Sequence, residues 1–215
     1  MRMVHHENYY EGYVLSQSDK NYYGFYVEIL EKIKSLLQYM VTNHNKVFFV
    51  MLVLKYPVGS VSMYPSNNSL LSSFLESFIL NYKRKGYDPK YLWVREQSST
   101  GQFHYHLMLL FDGNKIQNAH GVLKDAIRLW SHCLMVENGG GLVHLWEPGG
   151  DKFKYGGIMI RRFEWEYEKD YKKCFEAASY LAKRYSKGEA PAYVNEYGMS
   201  RLSNLPRRND VWEYW

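Results

Sequence analysis

Two histidines, two residues apart, are the first candidates for chemistry in this sequence of 215 residues. His104 and His106 lie in the aromatic and aliphatic run 103–111, whose composition predicts a β-strand. Successive side chains of a strand point to opposite faces, so both imidazoles project from one face and are within reach of a single metal ion. Met108 and Leu110 continue that face towards a core. A pair of sheet histidines with ordinary hydrogen bonds is the alternative interpretation.

A carboxylate across a hairpin turn is the candidate third ligand. The strand 91–97 precedes turn chemistry at 98–102, which predicts a β-hairpin with the histidine strand. If paired residue numbers sum to 200, Glu96 lies opposite His104 and shares its face. With a turn one residue shorter, Arg95 or Gln97 faces the histidines instead, which makes Gln97 the alternative ligand. Two histidines and one carboxylate suit Mn²⁺ or Mg²⁺, or Zn²⁺ in vitro. Structural or surface roles are predicted for the isolated histidines His120, His132 and His144.

A tyrosine within a basic helical segment is the candidate nucleophile. The pattern of residues 169–186 predicts a helix, and wrapping it at about 100° per residue puts Tyr180 in a basic stripe and Tyr185 on the apolar face. A tyrosine hydroxyl, with a pKa of about 10, is a poor nucleophile, but the cation of Lys183 favours the phenolate or stabilises charge on a phosphate. A surface tyrosine on a solvated face is the alternative. The basic residues predicted to contact the DNA backbone are Lys173, Arg184, Lys187, Arg201, Arg207 and Arg208.

The elements that must position these residues follow from hydrophobic periodicity. Helices are predicted at 22–42, 66–85, 115–134 and 169–186, and strands at 46–56, 91–97, 103–111, 142–146 and 156–160. From Lys46 the order is β-α-β-β-α-β, which predicts an α+β fold with the ferredoxin-like split βαβ arrangement, its helices packed on an antiparallel sheet. The strand at 46–56 is apolar on both faces and is predicted to be central.

Three regions are predicted along the chain. They are an N-terminal arm and helix at 1–45, a core at 46–190 and a basic C-terminal segment at 191–215. A hydrophobic fraction of 46% allows a sizeable core, and a net charge of +5 is compatible with nucleic acid. The two cysteines lack metal-like spacing, and the N-terminus lacks the apolar region of a signal peptide, so a cytoplasmic protein is expected.

The two motifs together resemble those of the HUH endonuclease superfamily. His104-Tyr105-His106 resembles its histidine motif, and Tyr180-Leu181-Ala182-Lys183 resembles the Tyr-x-x-Lys motif on the following helix. The sequences of these motifs, of residues 93–97 and of Gly198-Met199-Ser200-Arg201 are similar to those of the replication-initiation proteins of filamentous phages and related prophages. The resemblance covers roughly residues 46–208.

The resemblance implies an activity and a role for each residue. A divalent metal would be held by His104, His106 and Glu96, with Tyr180 as the nucleophile and Lys183 as its helper. Such proteins nick one DNA strand at an origin, which can form a hairpin, to start rolling-circle replication in a bacterial host, where replication proteins of the host are further partners. Arg184 occupies the fourth position after the tyrosine, which favours a single-tyrosine mechanism.

Two other functions are compatible with the same sequence. A transposase or relaxase would use the same chemistry for another element. A non-catalytic module for single-stranded nucleic acid would stack bases on sheet aromatics, with Tyr91, Trp93 and Tyr105 as the candidate rings.

Overall fold

The computed structural model describes residues 2–17, 21–98, 101–146, 156–185, 187–188 and 190–202. The strands are β1 Val4–His5, β2 Tyr9–Tyr10, β3 Tyr13–Val14, β4 Phe25–Tyr26, β5 Lys46–Lys55, β6 Lys90–Gln97, β7 Phe103–Asp112, β8 Val143–Leu145, β9 Ile158–Arg161 and β10 Tyr197–Met199. The α-helices are α1 Val27–Asn43, α2 Ser69–Arg84, α3 His120–Leu134 and α4 Tyr167–Ser179. Short 3-10 helices occur at Asn21–Tyr23, Val61–Met63 and Tyr180–Ala182.

A six-stranded antiparallel sheet forms the centre of the fold. Its order is β10-β6-β7-β5-β8, and β9 also pairs with β5, beyond β8 along the same edge. The strand β7 therefore lies between β5 and β6, and β5 lies between β7 and the strands that follow α3, as in the split βαβ arrangement. The predicted α+β fold class is confirmed. The strand β5 is central as predicted, and every residue from Val47 to Leu54 is buried.

Each face of the sheet is covered by a pair of helices, since side chains alternate along every strand. The helices α1 and α4 pack on the face that carries Met108 and Leu110. These two residues thus continue the histidine face into the core, as predicted. The helices α2 and α3 pack on the opposite face, over Leu107 and Leu109. The histidine face of β7 is thus an internal surface between the sheet and the helices α1 and α4.

The N-terminal region is part of this core, whereas the sequence predicted a polar arm. Leu15 is fully buried, and the backbone N–H of Ser16 donates to the hydroxyl of Ser179 at the end of α4. The helix α1 contributes buried residues to the same cluster as α4. The three predicted regions are therefore in contact with one another, and their boundaries stay a prediction.

Several element ends differ from the sequence prediction. The helix α3 begins at His120 rather than at 115, and α4 ends at Ser179 rather than at 186. The strand β10 was not predicted, because Tyr197–Met199 gains its hydrogen-bonding partners only from β6. Among the described residues, none of the helices combines the length and apolar character needed to cross a membrane.

Candidate active site

The hairpin of β6 and β7 has the register that places a carboxylate beside the histidines. Paired residue numbers sum to 200, so Glu96 lies opposite His104 and Val94 lies opposite His106. The turn is closed by a hydrogen bond of 2.9 Å from the Ser98 backbone N–H to the carbonyl of Gln102. The predicted register is confirmed.

The alternative ligand Gln97 faces away from the histidines. Its side-chain amide donates to the carbonyl of Gly101 at 2.8 Å, within the hairpin turn itself. Because neighbouring residues of a strand point to opposite faces, only Glu96 of the two shares the histidine face.

The three side chains converge on a volume suited to one cation. The Glu96 Oε2 atom lies 3.5 Å from the Nε2 atom of His106 and 3.7 Å from that of His104. One ligand atom from each residue lies within 4.8 Å of those of the other two. Ligands at about 2.1 Å from a shared ion lie about 3.0–3.4 Å apart in octahedral or tetrahedral geometry. The donor set and its spacing therefore fit a divalent metal after small side-chain movements.

The protonation states of this cluster are those of metal ligands. Burial acts to raise the pKa of Glu96, but Lys187 and the two histidines outweigh it and lower that pKa to about 2. Burial lowers the pKa of His106 to about 3 and also lowers the pKa of His104, in both cases against the attraction of Glu96. At neutral pH the carboxyl group is thus ionised and both imidazoles are neutral, with lone pairs available.

A buried lysine holds the carboxylate from its other side. The Lys187 ammonium donates to Glu96 Oε1 at 2.7 Å and to the Lys183 carbonyl at 2.6 Å, and its side chain has no exposed surface. This corrects the sequence prediction that Lys187 faces the DNA backbone. Because Lys187 occupies Oε1, the Oε2 atom is left to face the histidines.

The candidate nucleophile lies against His106, at the point where its helix ends. Tyr180 follows the last residue of α4, and its ring centroid is 5.0 Å from that of His106 and 4.5 Å from that of Trp146. The Lys183 Nζ atom lies 4.9 Å from the centroid of the Tyr180 ring. Metal-ligand candidates, tyrosine and lysine are therefore brought into one place by three separate segments.

The α-helix predicted for this segment does not continue beyond Ser179, so the predicted helix faces do not apply to the residues after it. The backbone of Lys183 is extended and forms a bridge with Phe25, so that its side chain is turned inwards and is only 6% exposed. Tyr185, predicted to pack in the core, is 38% exposed and lies against the ring of Tyr23. The helix cannot continue because the N-terminal strand supplies a competing hydrogen-bonding partner.

Burial also decides the ionisation of the tyrosine and the lysine. It raises the pKa of the Tyr180 hydroxyl, and the charges of Glu96 and Tyr185 raise it further. It lowers the pKa of Lys183 to about 8, with Glu96 opposing the shift and Lys187 adding to it. At neutral pH the phenol is protonated, so the expectation that Lys183 favours a phenolate does not describe this state of the protein.

The other residues predicted to bind DNA lie in different places. Lys173 and Arg184 are exposed on and just after α4, near the tyrosine segment. Arg201 follows Ser200, whose backbone N–H donates to the Tyr91 carbonyl. Tyr91 lies about 17 Å from Glu96 along β6, so Arg201 is at the other end of that strand. A groove of about 760 Å³ lies beside Arg201, away from the histidines. Arg207 and Arg208 lie outside the described residues.

Two residues near the site were not assigned to it from the sequence, which gave His144 a structural or surface role. His144 and His106 both pair with Val53, from opposite sides, so His144 lies on the histidine face. It is half-buried, and burial lowers its pKa. Trp146 packs on Tyr180, and its backbone N–H donates to the Met51 carbonyl. Only the long-range pairing of β8 with β5 could have identified them.

Two of the three candidate stacking rings on the sheet are covered by helices. Tyr105 is fully buried and Trp93 is 8% exposed, because both project towards α2 and α3. Tyr91 is partly buried and lines the groove beside Arg201, so the stacking that the non-catalytic binding function would use is largely limited to this ring.

Comparisons with known proteins relate the chain to one family and two nuclease structures. The family model described as the YagK/YfjJ C-terminal domain matches residues 6–200. Among solved structures, the catalytic domain of the adeno-associated virus type 5 Rep protein is 12% identical, with a TM-score of 0.35, over 54% of this chain and 75% of that chain. The N-terminal nuclease domain of the minute virus of mice non-structural protein 1 is 12% identical, with a TM-score of 0.32, over 73% of this chain and 100% of that chain. A search of curated proteins finds no match.

Proposed function

The chain belongs to the YagK/YfjJ C-terminal domain family, and we propose that it is a metal-dependent endonuclease that nicks single-stranded DNA. In the same step the protein becomes joined to the DNA through Tyr180. The proposal assigns Glu96, His104 and His106 as the ligands of a divalent metal, either Mn²⁺ or Mg²⁺.

One observation carries the proposal. A tyrosine ring packs directly on one histidine of a cluster of two histidines and one carboxylate, with Lys183 beside the ring and Lys187 behind the carboxylate. A chance cluster of sheet histidines has no need of a tyrosine and two buried lysines around it. The same residues carry the sequence resemblance to HUH endonucleases, so local motif and spatial arrangement support the same chemistry.

The metal, when bound, would polarise the scissile phosphate and take up its developing negative charge. The protein's own residues hold and orient the reacting groups. Lys187 fixes Glu96 by occupying Oε1, and Trp146 holds the Tyr180 ring over His106. A preorganised arrangement of this kind lowers the barrier because little reorganisation is left for the reaction itself.

The proposed step exchanges one phosphoester bond for another. The Tyr180 hydroxyl oxygen forms a bond to phosphorus, the bond from phosphorus to the 3′-oxygen breaks, and the phenolic proton ends on the released 3′-hydroxyl. Lys183, as a cation beside the ring, stabilises negative charge on the phosphate. The product is a phosphotyrosine linked to the 5′ end, which conserves the ester bond for later rejoining.

This product suits the initiation of replication. A free 3′-hydroxyl can prime synthesis while the protein retains the 5′ end, as rolling-circle replication of a phage or mobile element in a bacterial cytoplasm requires. The partner in this proposal is single-stranded DNA at an origin, and replication proteins of the host would extend the released end.

The test is covalent capture of DNA. Protein is incubated with Mn²⁺ and a pool of single-stranded oligonucleotides with a randomised centre, and adducts that survive denaturing electrophoresis are recovered, sequenced and mapped by mass spectrometry. We expect an adduct on Tyr180, its loss with chelator, and its loss in Tyr180→Phe. The matched control Tyr185→Phe should retain it.

Two outcomes would contradict the proposal. An adduct that persists in Tyr180→Phe would assign the nucleophile to another residue. DNA binding without cleavage under any divalent metal would favour a non-catalytic module instead. Joining of captured strands to the hairpin ends of an element would indicate a transposase or relaxase with the same chemistry.

A further inference from the structure

Three exposed tyrosine rings form a row beside the nucleophile segment. The ring centroids of Tyr22 and Tyr23 are 4.2 Å apart, and those of Tyr23 and Tyr185 are 5.3 Å apart. The exposed fractions are 69% for Tyr22 and 38% each for Tyr23 and Tyr185. We call this row the tyrosine ladder. It places large aromatic surface in solvent, and contiguous surface of that kind marks sites of interaction.

The chain is built to bring the ladder to the active site. The bridge between Phe25 and Lys183 and the hydrogen bond of 2.9 Å from the Arg184 N–H to the Gly24 carbonyl fasten the two segments together. Gly24 has a φ of +78°, and a Cβ there would lie 2.7 Å from the carbonyl oxygen of His5. Only glycine therefore permits the bend that sets Tyr22 and Tyr23 against Tyr185.

The ladder is joined to the nucleophile segment by a short stretch of chain that carries a cation. Tyr185 lies five residues after Tyr180, and the exposed Arg184 lies between Lys183 and Tyr185 in the chain. A cation next to a row of rings matches a strand in which phosphates alternate with aromatic bases.

We propose that the tyrosine ladder is a stacking surface for unpaired bases of the DNA strand that leads into the active site. This inference rests on the proposed nuclease function and specifies how its substrate is held. The outer face of Tyr22 continues the ladder, so that a base stacks on it and Arg184 contacts a nearby phosphate. Duplex DNA does not fit, because the faces of its bases are already covered by their neighbours.

Binding without metal tests the surface separately from catalysis. Anisotropy of a labelled oligodeoxythymidine is measured in chelator for wild type and for Tyr22→Leu/Tyr23→Leu. Base stacking on one aromatic ring corresponds to about 5- to 150-fold in affinity, and we expect a loss in this range for the double variant. Tyr22→Phe/Tyr23→Phe should bind like wild type, since the rings remain. Tyr193→Leu, which removes an exposed tyrosine elsewhere, should also bind like wild type.

A cross-linking experiment locates the bases directly. With 5-iodouracil in the oligonucleotide, irradiation should attach DNA to the peptides that contain Tyr22, Tyr23 or Tyr185. Cross-links confined to other peptides would overturn the inference. It would also be overturned if the leucine variant bound single strands with the same affinity as wild type. A fall in duplex affinity as large as the fall in single-strand affinity would also overturn it.

The two proposals fail in different ways. If wild type forms the Tyr180 adduct while the leucine variant binds the oligonucleotide normally, the stacking surface is refuted and the nuclease stands. If wild type binds the oligonucleotide through the ladder but forms no adduct with any metal, the nuclease is refuted. Urea unfolding of each variant verifies that the exposed substitutions leave the fold intact.

Discussion

Replacing Lys187 with methionine is expected to destabilise the metal-free protein by about 3 kcal/mol at neutral pH. Methionine keeps the length of the side chain but removes the ammonium group that donates to Glu96. The substitution therefore leaves a carboxylate that is 3% exposed without its counter-charge. The two histidines also lower the pKa of Glu96, but by less than Lys187 does, and both are neutral at neutral pH.

The magnitude follows from the pKa of Glu96. It is about 2 in the folded protein against an ordinary value of 4.5. A depressed acidic pKa contributes stability that is fully present above the unfolded value and is lost as the pH falls through the folded value. This lowering of the pKa corresponds to about 3 kcal/mol above pH 5. Lys187 is the largest of the effects that lower the pKa, so its removal forfeits most of this amount.

Urea unfolding in chelator and in Mn²⁺ measures the prediction. In chelator, Lys187→Met should lose about 3 kcal/mol, whereas Lys173→Met, an exposed lysine on α4, should stay within about 0.5 kcal/mol of wild type. Mn²⁺ should stabilise Lys187→Met more than wild type, because the metal supplies the missing counter-charge. Adding Glu96→Gln to Lys187→Met should restore stability in chelator and abolish the Mn²⁺ effect.

Either of two results would contradict this role of Lys187. One is a Lys187→Met protein as stable as wild type in chelator. The other is an equal gain from Mn²⁺ in the presence and absence of Glu96, which would show that the added metal acts elsewhere.

The remaining predictions concern pH, the lysine near the tyrosine and the N-terminal region. His106 is neutral in the folded protein, with a pKa of about 3, so on acidification the unfolded chain takes up a proton that the folded protein does not. The free energy of unfolding of the metal-free protein should therefore fall by about 2 kcal/mol between pH 7 and pH 5. His120→Gln, at an exposed position, should leave this pH dependence of stability unchanged. Lys183 carries its charge below its pKa of about 8, and a bound anionic phosphate raises that pKa. The rate of adduct formation should therefore fall at alkaline pH, and Lys183→Arg should extend activity to higher pH. The same pH–rate profile in Lys183→Arg and wild type would exclude the cationic role. Leu15→Ala should cost about 2–5 kcal/mol in urea unfolding, because Leu15 is fully buried; a loss under 0.5 kcal/mol would show that the N-terminal region is not part of the core.

Local periodicity determined the part of the site that lies on the sheet. The alternation of side chains put His104 and His106 on one face, and a period of two is enough to predict this. The sequence left Glu96 and Gln97 open as the third ligand, because a change of one residue in the turn shifts the register. The register of the folded hairpin places Glu96 on the histidine face and Gln97 on the other.

Tertiary structure decided the other half of the site. The helix α4 ends at Ser179 because Lys183 pairs with Phe25, a partner that helical periodicity cannot represent. Lys187, predicted to face DNA, is buried because Glu96, 91 residues away, needs a counter-charge. The sequence alone thus determined which residues could bind a metal and attack a phosphate. Long-range pairing decided how the tyrosine, the two lysines and the aromatic neighbours are set around them, since those contacts join segments distant in the chain.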